Sequence, residues 1–145
     1  MSFHTWHTYG YGVEMTDITC DSVDRIKLLL SVAPNFGKQV AEWFERWGIT
    51  EPAVEDYVEF DQDYNLGLTY ILQQVILEEE GIEFTACNDF DGRIYLLYGP
   101  AYPWDMPERD ISLKERDIAH ILAKYLRLLT DENIPVDYHS PENGG

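Results

Sequence analysis

The chain has 145 residues and carries 27 Asp and Glu against 10 Lys and Arg, a formal charge of −17. This length suits one domain with a single core, and 45% apolar with 14% aromatic residues is too rich for an acidic disordered chain. The charge excludes direct binding to DNA, RNA or an anionic membrane, each of which needs Lys and Arg to offset phosphate repulsion.

The opening Met-Ser-Phe-His-Thr-Trp-His has neither a basic stretch nor an apolar run, so no secretory signal is expected there. Apolar runs such as 28–30 and 75–77 are far short of a membrane span. A soluble, intracellular (cytoplasmic) protein is expected. Cys20 and Cys87 are expected to be reduced, because two cysteines make no disulfide framework.

Residues 3–15 are rich in aromatics and Thr, with Gly10 and Gly12 near the end, which predicts a first strand finishing in a bulge or a close backbone contact. Asp21 or Ser22 can cap a helix with Val23, Ile26, Leu29 and Leu30 on one face, ended by Pro34. Asn35 then opens a second helix carrying Phe36, Val40, Trp43, Phe44 and Trp47 inward, closed by Gly48. A short third helix is capped by Thr50, with Pro52 in its first turn and Val54, Tyr57 and Val58 inward. Leu68, Ile71, Leu72, Val75 and Ile76 recur at helical spacing before Gly81 and define a central helix.

Residues 82–87 and 93–98 are β-prone runs around a turn-rich loop, a hairpin. Residues 99–107 hold three prolines and read as a rigid crossing loop. Ser112 with Glu115 forms a capping box for a last long helix bearing Ile118, Ile121, Leu122, Tyr125, Leu126 and Leu129. A short strand over 134–139 and a polar tail follow. Strands and helices do not alternate regularly, so the expected fold is α+β: a small, mostly antiparallel sheet of the terminal strands plus the hairpin, packed against about five helices.

The charge is unevenly placed. Residues 47–92 contain no Lys or Arg, while Glu51, Glu55, Asp56, Glu59, Asp61, Asp63, Glu78, Glu79, Glu80, Glu83, Asp89 and Asp91 accumulate there. The i, i+4 pairs Glu51–Glu55 and Glu55–Glu59 each cost a helix about 0.2–0.5 kcal/mol. Solubility requires only a net charge of about 2 to 8 in a small domain. A charge run is commonly a solvated face; the alternative is complementarity to a basic partner. In the 98–107 loop, Tyr102 and Trp104 are residue types that anchor interfaces, and folding back over the sheet as a lid is the competing role.

No catalytic motif emerges. Asp61, Asp63 and Asn65 start a calcium-loop spacing, but Gly67 comes one place late and position 12 is Leu72. His4 and His7 point to opposite faces if they lie on a strand, and Cys20 is surrounded by Asp17, Asp21 and Asp24, which oppose thiolate formation. No Walker loop, G-x-S-x-G or G-x-G-x-x-G is present. Neither a metal nor a cofactor is expected. The bases on the first two helices are balanced by Asp24, Glu42 and Glu45, so a helix-turn-helix reader of DNA lacks its phosphate footprint.

The opening residues 2–12, the Tyr102-Pro103-Trp104-Asp105-Met106 loop and the ending 136–145 resemble small accessory proteins of phages and mobile elements of Gram-positive bacteria. In size and acidity the chain is similar to DNA-mimic inhibitors such as anti-CRISPR and anti-restriction proteins. That resemblance implies an intracellular, non-enzymatic inhibitor docking on a basic nuclease or another nucleic-acid-binding protein. The leading expectation is therefore a non-catalytic acidic binding protein using the 51–91 carboxylates with Tyr102 and Trp104. A small enzyme or metal-dependent module and a homo-oligomeric structural protein are the alternatives, and a homodimer is compatible with the leading reading.

Overall fold

A computed structural model describes residues 6–7, 10–16, 20, 22–59, 68–89, 91–98, 114–139 and 142–144. Five helices occur among them: α1 (Val23–Ser31), α2 (Pro34–Arg46), α3 (Val54–Val58), α4 (Leu68–Glu80) and α5 (Glu115–Leu129). The strands are β1 (Trp6–His7), β2 (Gly10–Glu14), β3 (Thr85–Asn88), β4 (Ile94–Tyr98), β5 (Asp137–His139) and β6 (Glu142–Gly144). The fold is α+β, with a four-stranded antiparallel sheet in the order β3-β4-β2-β5. The hairpin thus lies at one edge, and the N-terminal strand sits between it and the C-terminal β5.

Alternation along the strands sorts the sheet into two faces. Val13 of β2 and Leu96 and Tyr98 of β4 join the main core under α4 and α5, while Tyr95 and Leu97 turn to the opposite face and are also buried. Gly12 is paired with Leu97 on that second face, and a Cβ on Gly12 would lie 2.0 Å from the Leu96 carbonyl oxygen. The expected close backbone contact is therefore present, but inside β2 and not at its end. The single first strand expected over 3–15 is divided into β1 and β2. The C-terminal segment expected as a polar tail contains β6, which pairs antiparallel with β1.

Ile71, Leu72, Val75 and Ile76 of α4 are fully buried, as are Leu122, Tyr125 and Leu129 of α5 within a few percent. Each such side chain contributes about 1.5–3 kcal/mol of burial, which outweighs helix propensity. Gly48 (φ 72°) and Gly81 (φ 69°) end α2 and α4 in the left-handed conformation that glycine adopts most cheaply.

Helix starts depart from expectation. Ser22 holds the N-cap position of α1 without a side-chain bond, and Pro34 opens α2 at its first position where it was expected to end α1. The N-cap of α3 is Ala53 in place of Thr50; the Asp56 carboxylate accepts from the Ala53 N–H at 2.7 Å, so a third-position carboxylate satisfies the helix start, and Pro52 precedes the cap. In α5 the cap is Lys114, and Asp117 accepts from its N–H at 3.1 Å; Ser112 lies outside the described residues. Two residues expected inward face solvent: Trp47 is 67% and Val58 44% exposed.

Gly12→Ala is expected to lower stability by about 3 kcal/mol or to prevent folding, since overpacking against backbone has no flexible side chain to yield. Urea unfolding monitored by circular dichroism checks this, with an unchanged midpoint as the contrary result.

Candidate functional site

Ten of the fourteen residues singled out from the sequence fall among the described residues; Asp61, Asp63, Tyr102 and Trp104, together with the calcium-like spacing and the Pro-rich loop, lie outside them. The ten carboxylates divide sharply. Asp56, Glu78, Glu80 and Asp89 are half-buried and bonded within the fold, whereas Glu51, Glu55, Glu59, Glu79, Glu83 and Asp91 are exposed.

Glu78 shows why sequence reasoning misplaced the first group. Ala33, the residue before Pro34, has no side chain able to cap α2. The Glu78 carboxylate reaches across from α4 and accepts from the N–H of Asn35 at 3.1 Å and of Phe36 at 2.8 Å. It thereby places negative charge at the positive end of the α2 dipole. Glu80 accepts from the Tyr125 hydroxyl at 3.0 Å and from Lys124 Nζ at 3.3 Å. Burial, reinforced by Glu80, raises the Tyr125 pKa, so its hydroxyl stays a donor. Asp89 accepts from the N–H groups of Asp91 and Arg93, both at 2.9 Å, and from the Tyr95 hydroxyl at 3.3 Å, which closes the hairpin turn.

Five of the six exposed carboxylates lie toward one or the other end of α2, and Asp91 lies in the hairpin turn. Glu78 marks the start of α2 at Phe36, whereas the ring contact Phe44–Tyr57, 5.0 Å between centroids, sets α3 against its last turns. Eight residues separate Phe36 from Phe44, about 12 Å of helix. Glu51, Glu55 and Glu59 therefore gather at one end of α2, and Glu79 and Glu83 follow Glu78 at the other. Lys38 and Arg46 lie on α2 between and beside them. α2 also exposes Glu42 and Glu45, so the cations Lys38 and Arg46 alternate there with carboxylates, and Asp91 stands apart in the hairpin turn.

At the α3 end of α2 lie the two misjudged apolar residues. Trp47 comes three residues after Phe44 and rests on Trp43, 5.9 Å between rings, and Val58 directly follows Tyr57. Helical spacing alone assigned both inward, but Trp47 lies just beyond the α2 helix and Val58 at the last residue of the short α3.

Among the described residues no three His, Cys, Asp or Glu side chains converge as a metal site would require. Cys20 is buried, its thiol donating to the Ser22 carbonyl at 3.5 Å, and Cys87 is half-buried. No described helix is long and apolar enough to cross a membrane. No protein family, curated protein or solved structure matches the chain.

Glu78→Ala is expected to cost about 1–2 kcal/mol, the range of a lost helix cap, while Glu79→Ala one residue away changes stability by less than about 0.5 kcal/mol. Paired thermal or urea unfolding curves distinguish them; equal losses would remove the capping role.

Proposed function

We propose that the protein is a non-catalytic binding protein that docks on a basic partner through the junction of α2 and α3. Exposed Trp47 and Val58 supply apolar anchors, and Glu51, Glu55 and Glu59 surround them with negative charge. The observation that carries this reading is the 67% exposure of Trp47 next to a stretch, 47–92, that has no cation of its own. An exposed Trp is the residue type most enriched among interface hot spots, and carboxylates around it steer a basic surface into register and raise the association rate.

Glu79 and Glu83, near the end of α4, and Asp91, in the β3–β4 turn, add negative charge that contributes longer-range attraction. The resemblance in size and charge to DNA-mimic inhibitors supports a nuclease or other nucleic-acid-handling protein as the partner, with an inhibitor of a phage or mobile element as the biological setting. Glu78, Glu80, Asp56 and Asp89 serve the fold in this reading and are not counted as contacts.

With a partner captured by the tagged protein, affinity is expected to fall at least about tenfold between 50 and 500 mM salt, because exposed charges are screened beyond a few ångströms at high ionic strength. Trp47→Ala is expected to weaken binding by about 2 kcal/mol or more, and Glu51, Glu55 and Glu59 changed together to Gln to slow association. Salt-independent binding with wild-type affinity in both variants refutes the proposal.

A further inference from the structure

Between α1, α2 and α3 lies a groove of about 340 Å³. Its apolar floor is formed by Leu30 of α1 and by Val40 and Phe44 of α2, with Tyr57 of α3 along one side. Gly37 and Ala41 keep the α2 wall low. At Gly37 the two helices approach so closely that a Cβ would lie 3.0 Å from the Leu30 carbonyl oxygen.

The polar side chains at this groove are one cation, Lys27, and the hydroxyls of Ser31 and Tyr57. Lys27 and Ser31 stand on the α1 wall, the Ser31 hydroxyl donating to the Leu28 carbonyl at 2.6 Å. Among the described residues no Asp or Glu lines the groove, in a chain that has 27 of them, and Lys27 has no ion pair. An anion is repelled by most of this surface but attracted to Lys27, so the groove selects for negative charge joined to an apolar body.

Size narrows the occupant. The volume lies near the lower end of small-molecule sites, about 300–1,000 Å³. A partner helix, about 10–12 Å across with its side chains, needs a wider trough than this volume provides. From Pro34 to Phe44 the α2 wall runs about 15 Å, the reach of a medium-chain acyl group. An anionic bilayer is excluded by the negative charge of the surrounding surface.

We infer that the groove binds a free medium-chain carboxylate, with its alkyl chain over Leu30, Val40 and Phe44 and its carboxylate at Lys27 Nζ. This inference does not rest on the proposed docking function.

Decanoate, decanol and decyltrimethylammonium, each titrated below its micelle concentration and followed by amide NMR shifts, test the assignment. Decanoate is expected to saturate, with shifts centred on Lys27, Gly37 and Ala41, and to bind about fivefold or more tighter than the cation. Ala41→Trp fills the groove from an exposed position and is expected to weaken decanoate about tenfold. Lys27→Glu is expected to weaken decanoate about fivefold while leaving decanol within about twofold. Unsaturable shifts spread over the surface, or wild-type decanoate affinity in both variants, would overturn the inference. A dimer that Ala41→Trp dissolves and decanoate leaves intact would also overturn it, by giving the groove to a second copy.

Discussion

Gln73, Glu78 and Glu80 project from α4 to three different neighbours. Gln73 donates to the Phe84 carbonyl at 2.6 Å, Glu78 caps α2, and Glu80 holds Tyr125 and Lys124 of α5. The apolar face of the same helix is fully buried at Ile71, Leu72, Val75 and Ile76. Burial supplies the larger energy, but it is non-directional. The polar bonds, each worth about 1.5–3 kcal/mol when charged and less where water reaches them, determine which neighbour sits where. With the Phe84 carbonyl occupied by Gln73, β3 begins at Thr85, three residues later than the β-prone run starting at Ile82.

This arrangement changes what the charge of −17 means. A like-charged run destabilises a compact chain by self-repulsion, yet part of the 51–91 run offsets that cost by satisfying helix ends and the hairpin turn. Asp56, Glu78 and Asp89 accept backbone N–H bonds, and Glu80 keeps a buried Tyr hydroxyl paired. What remains exposed is a smaller set. A uniform phosphate-like array is thus a poor description of this surface, because several of its carboxylates are engaged in bonds within the fold.

The parts of the fold legible in the sequence are those governed by local rules. Leu68 to Ile76 reads as α4 because its period matches one buried stripe, and Gly81 supplies the stop. The hairpin is legible because Asp89 and Gly92 suit its turn. What escaped depends on partners distant in sequence: Glu78 and Asn35 are 43 residues apart, Glu80 and Tyr125 are 45 apart, and β6 pairs with β1 across nearly the whole chain. Side-chain period likewise reports which face a residue shares, not whether another element reaches that far along the helix. Phe44 is covered by Tyr57, whereas Trp47, one turn on, is not.

The same reasoning separates the two candidate surfaces on α2. Its C-terminal end exposes Trp47, and the acidic α3 is held there by the Phe44–Tyr57 contact, the surface proposed to meet a basic partner. Its Pro34–Phe44 flank is concave, free of carboxylates among the described residues, and carries Lys27 opposite. A partner basic enough to be drawn to the first surface is repelled by the cation of the second, so charge sign alone keeps the two from competing for one ligand. Phe44 and Tyr57 line the groove, so a molecule lying in it presses on the same ring pair that positions α3. That ring contact, together with the Trp47–Trp43–Phe44 stack, links the groove to the exposed end of α2.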